Sequence, residues 1–318
     1  APVASWIAYV IDEKSGKIRK SRKNAKVGKI WTESAKHLVF QGIVFDPQGR
    51  ANKRFLNTWT GFRYEPDDYD MHFELYFSIY HYFDHIYNVW CNKDFDTFYY
   101  VLRWFAYLIQ HPGKATNTLI IIGGPEGCGK SAPASVVGHI MGDAYLRTNN
   151  INDLLGRFNG HTMGKIFMQI DEVDTLSQEQ NQTLKAIVTD EVKRFESKYC
   201  NTISIKQCVN LIMTTNRPQD RLMQVNPNSR RWVMLEAQPN EHCEKEWYDN
   251  MFRWLEEDQE AGYKAIFSFL RHVSLKGFDP KKLPVTHMLV THMLSDMPSE
   301  LQFLWEQLRR GYFIITSL

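Results

Sequence analysis

Hydrophobic positions repeat every three or four residues in two long parts of the chain, a spacing typical of amphipathic helices. The first part runs from residue 71 to residue 110 and is rich in aromatic side chains. The second runs from residue 240 to residue 311 and contains a proline-bearing link. The aromatic residues of the first part fit a packed core better than a surface that stacks nucleic-acid bases. Both parts are therefore predicted to be helical.

Between these parts, short apolar runs alternate with helix-like segments over residues 114–238. Such alternation favours a mainly parallel sheet covered by helices. Residues 1–70 instead mix short strand-like runs with turns. The prediction is an α/β fold with a central, mainly parallel sheet, flanked by N-terminal and C-terminal helical regions. The predicted regions are 1–70, 71–112, 113–238 and 239–318.

One glycine-rich loop stands between a predicted strand, Thr118–Gly123, and a predicted helix, Ala132–Met141. Its residues fit the pattern G-x-x-x-x-G-K-[ST]: Gly124, Pro125, Glu126, Gly127, Cys128, Gly129, Lys130 and Ser131. Glycines let successive backbone N–H groups converge on a phosphate, and the helix that follows directs its positive end toward the same anion. Lys130 is expected to reach the β- and γ-phosphates, and the Ser131 hydroxyl to bind Mg²⁺. The alternative is a glycine-rich turn that matches by chance, but the flanking strand and helix favour nucleotide binding.

Two adjacent acids end the apolar run Lys165–Val173. Because the carboxyl ends of parallel strands face the ligand, Asp171 is predicted to hold Mg²⁺ through water. Glu172 is predicted to orient and deprotonate the attacking water, as phosphoryl transfer requires. A solvent-facing acidic turn is the alternative interpretation.

A helix follows, opened by a capping box of Ser177 and Gln180. Residues 192–207 then form two strand-like arms around a polar turn, and a further apolar run ends in Asn216. The Asn216 amide is a candidate to polarise water or to sense the γ-phosphate, or else it simply forms a turn. Arg230 and Arg231 directly precede the last predicted strand, where they are either surface charges or an arginine finger.

Charge is distributed unevenly along the 318 residues, although the net charge is only +2. Residues 1–63 hold 13 Lys and Arg against 4 Asp and Glu, a net charge of +9. The block Lys14–Lys29 carries eight of those cations. Such a block is either a solvated flexible arm or a nucleic-acid contact, because neutralising phosphates needs clustered Lys and Arg.

Cysteine usage and hydropathy narrow the class of protein further. The five cysteines show no CxxC motif or regular spacing, which favours a reduced, intracellular protein. No apolar run approaches the roughly 20 residues of a membrane span, so no membrane partner is expected. The first and last residues resemble cuts within a longer polypeptide.

Taken in order, these motifs resemble those of the superfamily 3 helicases, which are AAA+ ATPases of viruses, phages and plasmids. The shared order is a phosphate loop, an acid-ended strand, a helix, a basic hairpin, an apolar strand ending in Asn, and Arg before a strand. Within that superfamily the chain is most similar to the poxvirus-type primase-helicases. Segments Arg54–Phe62, Leu102–Lys114 and Leu184–Tyr199 also resemble that group, and the similarity covers residues 37–310.

The resemblance implies a homo-oligomeric ring, usually a hexamer, that hydrolyses ATP with Mg²⁺ at subunit interfaces around single-stranded or forked DNA. It matches Lys130 and Ser131 with the Walker A pair, Asp171 and Glu172 with the Walker B acids, and Asn216 with sensor 1. Further matches are Arg231 with a finger acting in trans, Arg230 beside it, and Lys114 with a lysine that contacts a neighbour's nucleotide.

The basic hairpin matches the DNA-gripping hairpin of these helicases. Its candidate DNA contacts are Lys193, Lys198, Tyr199 and Lys206. The tip lacks the His that follows Lys in papillomavirus-type helicases. Relatives often carry a primase or polymerase domain upstream, and none is recognisable here.

Two other classes of protein stay open on the sequence alone. A nucleic-acid-binding or assembly module with weak ATPase would need further domains to unwind DNA. A P-loop small-molecule kinase would need an arginine-rich lid, which is not recognisable, and would have no use for the basic hairpin.

Overall fold

A computed structural model gives the structure of most of the chain. The described residues are 3–11, 18–26, 40–65, 73–157, 159–196, 203–216, 230–239, 244–295 and 297–310. Within these ranges, no helix combines the length and the apolar character needed to cross a membrane. The chain divides into two compact units, residues 1–44 with 51–57, and residues 45–50 with 58–318.

Where the structure describes the first unit, it shows two strand pairs. Strands β1 (Val3–Ile11) and β2 (Ile18–Lys26) are antiparallel, with Val3 opposite Lys26. Strands β3 (Gly42–Val44) and β4 (Phe55–Asn57) pair in parallel. For residues 18–26 of the basic block, the interpretation as a flexible arm is wrong, because this segment pairs regularly with β1. Residues 14–17 and 27–29 of that block lie outside the described residues.

The second unit is built on a five-stranded parallel sheet. Its strands are β5 (Leu119–Gly123), β6 (Tyr145–Thr148), β7 (Phe167–Ile170), β10 (Asn210–Thr215) and β11 (Trp232–Glu236). They lie in the order β11-β5-β10-β7-β6, and every neighbouring pair is parallel. A separate antiparallel hairpin, β8 (Val192–Phe195) with β9 (Ile203–Lys206), precedes β10.

The described residues of this unit also contain eight α-helices, and all except the last contribute residues to the cores on the two faces of the sheet. They are α1 (Phe73–His85), α2 (Phe95–Gln110), α3 (Ala132–Met141), α4 (Asn152–Leu155), α5 (Gln178–Thr189), α6 (Lys245–His272), α7 (His287–Ser295) and α8 (Ser299–Arg309). One π-helical turn, Ile86–Trp90, continues α1.

Strand β5 lies between β11 and β10 and is apolar throughout, because both faces of the sheet are covered. Ile120 and Ile122 belong to the core formed with α1, α2, α3 and α6. Leu119 and Ile121 belong to the core on the other face, together with residues of α5 and α7. The result is a three-layer arrangement with the sheet as its middle layer.

Local signals fix several element boundaries. The predicted capping box is confirmed, since the Ser177 side chain accepts from the Gln180 backbone and the Gln180 side chain accepts from that of Ser177. Asp94 caps α2 by accepting from the Asp96 backbone.

Helix α7 lies in the segment that the sequence assigned to a proline-bearing link, so that part of the prediction is wrong. Its Met288 is buried against the sheet.

The predicted α/β class, with its central parallel sheet and flanking helices, is confirmed. Helix α3 has the predicted boundaries, and the strand before the loop begins one residue later than predicted.

Candidate nucleotide-binding site

The loop 124–131 leaves the carboxyl end of β5 and enters α3. Gly124 has a φ of +156°, and a Cβ there would lie 2.8 Å from the Ala237 carbonyl oxygen. Gly129 has a φ of +73°, and a Cβ there would lie 1.9 Å from the Tyr248 hydroxyl. Only glycine combines this backbone with such close neighbours. The loop is therefore held tightly between β11 and α6.

Lys130 is buried, and its ammonium donates a hydrogen bond to the Pro125 carbonyl of the same loop. The buried Cys128 thiol donates to the same carbonyl at 3.0 Å. Pro125, Glu126 and Gly127 are exposed at the loop's outer edge. The lysine thus lies inside the turn where a phosphate group would be bound.

Asp171, just beyond β7, accepts four hydrogen bonds from side chains of the site. Its Oδ1 accepts from the Ser131 hydroxyl at 2.7 Å, from the Gln169 amide at 3.0 Å and from the Thr214 hydroxyl at 3.1 Å. Its Oδ2 accepts from Arg147 Nε at 2.6 Å. The structure therefore brings together the serine and the acid that the sequence predicted as partners.

The hydrogen bonds to Asp171 also decide its ionisation. Burial by itself would raise the pKa of this carboxyl. The hydrogen bonds from Gln169, Ser131 and Arg147, with the charge of Arg147, outweigh burial and lower the pKa below its ordinary value. The carboxylate is thus held ionised, which suits a cation ligand.

Ser131 and Asp171 meet the requirements of a magnesium site. Mg²⁺ prefers hydroxyl and carboxylate oxygens, takes few protein ligands and usually shares its shell with phosphate and water. The 2.7 Å contact places two such oxygens side by side at the inner end of the loop. The residues present therefore fit a magnesium ion bound together with a phosphate.

Glu172 follows with a φ of +57°, a left-handed conformation that non-glycine residues seldom adopt. Its backbone N–H donates to the Thr214 hydroxyl at 3.2 Å, and its side chain is exposed. Asn216, which follows β10, is exposed as well. Both line one cavity of about 420 Å³ together with Lys130 and Ser131.

The sequence missed several residues of this cavity. Arg147 lies on β6, Thr214 lies on β10, and Tyr248 and Phe252 lie on α6. Gln169 lies beneath the cavity, fully buried, and joins Ser131, Tyr145 and Asp171. A polar residue within the apolar run of β7 was the one available signal for Gln169. The others depend on the order of strands and on the packing of α6.

Arg231 lies at the opposite edge of the sheet. Its carbonyl accepts from the backbone of Leu119, where β5 begins, whereas the loop starts beyond Gly123, where β5 ends. The four residue steps from Leu119 to Gly123 separate the two edges by roughly 13 Å at 3.3 Å per step. The Arg231 Nε is buried and has no hydrogen-bond partner among the described residues, and Arg230 is exposed.

Lys114 lies at that same edge. Its side chain is exposed, and its carbonyl accepts from the Asn210 amide at 3.4 Å, where β10 begins. Arg231 and Lys114 therefore both lie at the end of the sheet opposite the cavity of their own chain.

The two described lysines of the hairpin differ in their exposure to solvent. Lys206 is exposed, whereas Lys193 is buried, with its ammonium 5.3 Å from the centre of the Phe195 ring. Along β8 the exposed positions are Val192 and Arg194. Lys193 is therefore poorly placed for the predicted DNA contact. Lys198 and Tyr199 lie outside the described residues.

Burial lowers the pKa of Lys193 to about 8 from the ordinary value of 10.5. Between these pH values the unfolded chain binds a proton that the folded chain lacks, so stability should rise with pH through that window. We expect Lys193→Met to raise the free energy of unfolding at pH 7 by up to about 3 kcal/mol, and the gain to vanish near pH 10.5. Denaturant unfolding of both proteins at several pH values measures this. A difference that does not change with pH would show that the ammonium is solvated.

The fold and the loop together define an α/β core in which a glycine-rich loop of the P-loop pattern follows β5. A model of a family of unknown function, DUF5906, matches residues 121–231, which include the loop, the acids and Arg231. A search of the curated proteins finds no match.

Solved structures show the same fold. An apo structure of the NrS-1 C-terminal region aligns with a TM-score of 0.65 and 14% identity, covering 98% of this chain and 79% of that one. A second, of NrS-1 residues 305–718, gives a TM-score of 0.66 and 15% identity, covering 96% and 74%. At this identity the likeness shows the fold alone. A JCV helicase structure aligns at a TM-score of only 0.39, too low to support an argument.

Proposed function

We propose that this chain is the ATPase module of a ring-forming DNA helicase, acting on single-stranded or forked DNA. The observation that carries the proposal is the pairing of Ser131 with Asp171 beside a buried lysine, at the end of a parallel sheet. The proposed core is residues 113–238, with helical regions at 71–112 and 239–318 and a basic region at 1–70.

Within the proposed reaction each residue has one task. Lys130 leaves the Pro125 carbonyl and binds the β- and γ-phosphates of ATP. Ser131 and Asp171 would hold the magnesium ion, which neutralises phosphate charge when bound. Glu172 orients the attacking water and accepts its proton, and the Asn216 amide positions that water from the neighbouring strand.

The opposite edge of the sheet supports assembly into a ring. Arg231 and Lys114 are too far from their own cavity to reach its phosphates, yet they lie together at one edge. In a ring, this edge would face the next subunit's nucleotide. A hexamer follows from the family resemblance, as does an upstream primase or polymerase domain.

ATP turnover by the purified chain, with and without single-stranded DNA, tests this proposal. A DNA-stimulated rate, together with a mass that increases to that of a ring on adding nucleotide and DNA, is the expected result. Turnover without DNA stimulation would favour a kinase, and DNA binding with negligible turnover would favour an assembly module.

The hairpin gives a prediction for DNA binding. Lys198→Ala should flatten the dependence of log affinity on log salt by about 0.7, the loss of one phosphate contact on a single strand. Binding at several salt concentrations measures the slope. Lys193→Met is the matched control, because its ammonium is buried and should not contribute. If the salt dependence of Lys198→Ala were unchanged, the phosphate contact would be assigned to Lys206 or to the basic block instead.

A further inference from the structure

Arg147 is a cation inside the nucleotide cavity that has no part in the reaction described above. It lies on β6 and lines the cavity, and about half of its side chain is exposed to solvent. Its Nε donates to Asp171 Oδ2 at 2.6 Å, and no other described residue accepts from its guanidinium. A guanidinium has five N–H donors, so one contact leaves most of them available.

The contact with Asp171 fixes where the remaining donors lie. Asp171 is largely buried and is held by Ser131, Gln169 and Thr214, so it is a rigid anchor. The arginine is attached to the one carboxylate oxygen that these residues leave open. Its terminal nitrogens are therefore restricted to the cavity side of Asp171.

This position corresponds to one end of a bound triphosphate. The loop backbone around Gly127 and Gly129 would bind the inner phosphates, since its N–H groups converge there. Glu172, which would activate water, must lie beyond the terminal phosphate. Arg147 is hydrogen-bonded to Asp171, the residue before Glu172, and Arg147 and Glu172 line the same cavity.

We propose that Arg147 is a phosphate-binding residue of its own subunit, which contacts the terminal phosphate and distinguishes nucleoside triphosphates from diphosphates. Asp171 orients the guanidinium through Nε, and the terminal nitrogens bind the phosphate oxygens. The subunit thus supplies two cations to the phosphate chain, Lys130 at the β- and γ-phosphates and Arg147 at the terminal phosphate on the side of the acids. This inference rests on the nucleotide-binding function proposed above.

The test is equilibrium binding of ADP and of a non-hydrolysable ATP analogue at saturating Mg²⁺. Arg147→Ala should weaken binding of the ATP analogue roughly 10- to 100-fold, as expected for lost charge-assisted hydrogen bonds. ADP binding should change less than about threefold, because ADP has no terminal phosphate at this position. Arg147→Lys should fall between the wild type and Arg147→Ala, since it keeps the charge but not the fork of donors.

Two controls separate the possible causes. Arg157→Ala removes another arginine whose Nε binds a carboxylate, that of Glu196 at 3.0 Å, away from the cavity. It should leave both affinities unchanged. Lys130→Ala should weaken both nucleotides together, and thermal unfolding checks that every variant is folded.

Equal losses for both nucleotides in Arg147→Ala would overturn the inference, because Arg147 would then act only by holding Asp171. Unchanged affinity for the ATP analogue would overturn it as well. If the wild-type chain bound neither nucleotide, the proposed function itself would fail, and this outcome is distinct from a selective or uniform loss in Arg147→Ala.

Discussion

Arg231→Ala is expected to lower ATP turnover by the assembled protein roughly 10³- to 10⁵-fold, the range for an arginine finger that stabilises transition-state charge. Nucleotide binding by the single subunit should be retained, since Arg231 lies at the edge of the sheet away from its own cavity. Steady-state turnover and nucleotide binding are measured on the same sample. Arg230→Ala is the matched control, because Arg230 is exposed and adjacent.

Mixing two inactive variants tests whether Arg231 acts across a subunit boundary. Lys130→Ala keeps the arginine but has a defective cavity, while Arg231→Ala keeps the cavity but lacks the arginine. In mixed rings some interfaces combine an intact cavity with an intact arginine, so part of the activity should return. A mixture that stays inactive despite demonstrated subunit exchange would exclude Arg231 as the finger.

Glu172→Gln should lower turnover roughly 10²- to 10⁴-fold, the usual contribution of a general base. ATP affinity should stay near the wild-type value, so the protein should accumulate with ATP bound. Lys130→Ala should instead lose affinity, because the cation in the loop is removed. Turnover and binding measured on both variants separate the two roles. Near-normal turnover by Glu172→Gln would remove Glu172 from the reaction.

The sequence could predict those parts of the site whose residues lie close together along the chain. The loop, its flanking strand and helix, and the acids after β7 each depend on local spacing and hydrophobic pattern. The carboxyl ends of parallel strands meet at one edge, so this spacing was enough to bring Lys130, Glu172 and Asn216 to one cavity.

Residues brought together by packing could not be predicted in this way. Arg147 reaches Asp171 because β6 lies beside β7, and Tyr248 reaches Gly129 because α6 packs against the loop. The burial of Lys193 could not be predicted from the sequence pattern either, since the pattern of a short hairpin does not show which of its faces packs inward. Helix α7 was missed because a proline-containing segment was assigned to a link.

Thr214 joins two parts of the molecule that are distant in sequence. Its hydroxyl donates to Asp171 and accepts from the backbone of Glu172, and it lies on β10, two residues before Asn216. Only three residues separate the start of β10 from β9 of the hairpin. An axial displacement of this one continuous segment would therefore shift the hairpin, the amide and the hydrogen bonds of both acids together. The hairpin and the hydrogen bonds of both acids are thus linked through β10 and the three residues of backbone that precede it.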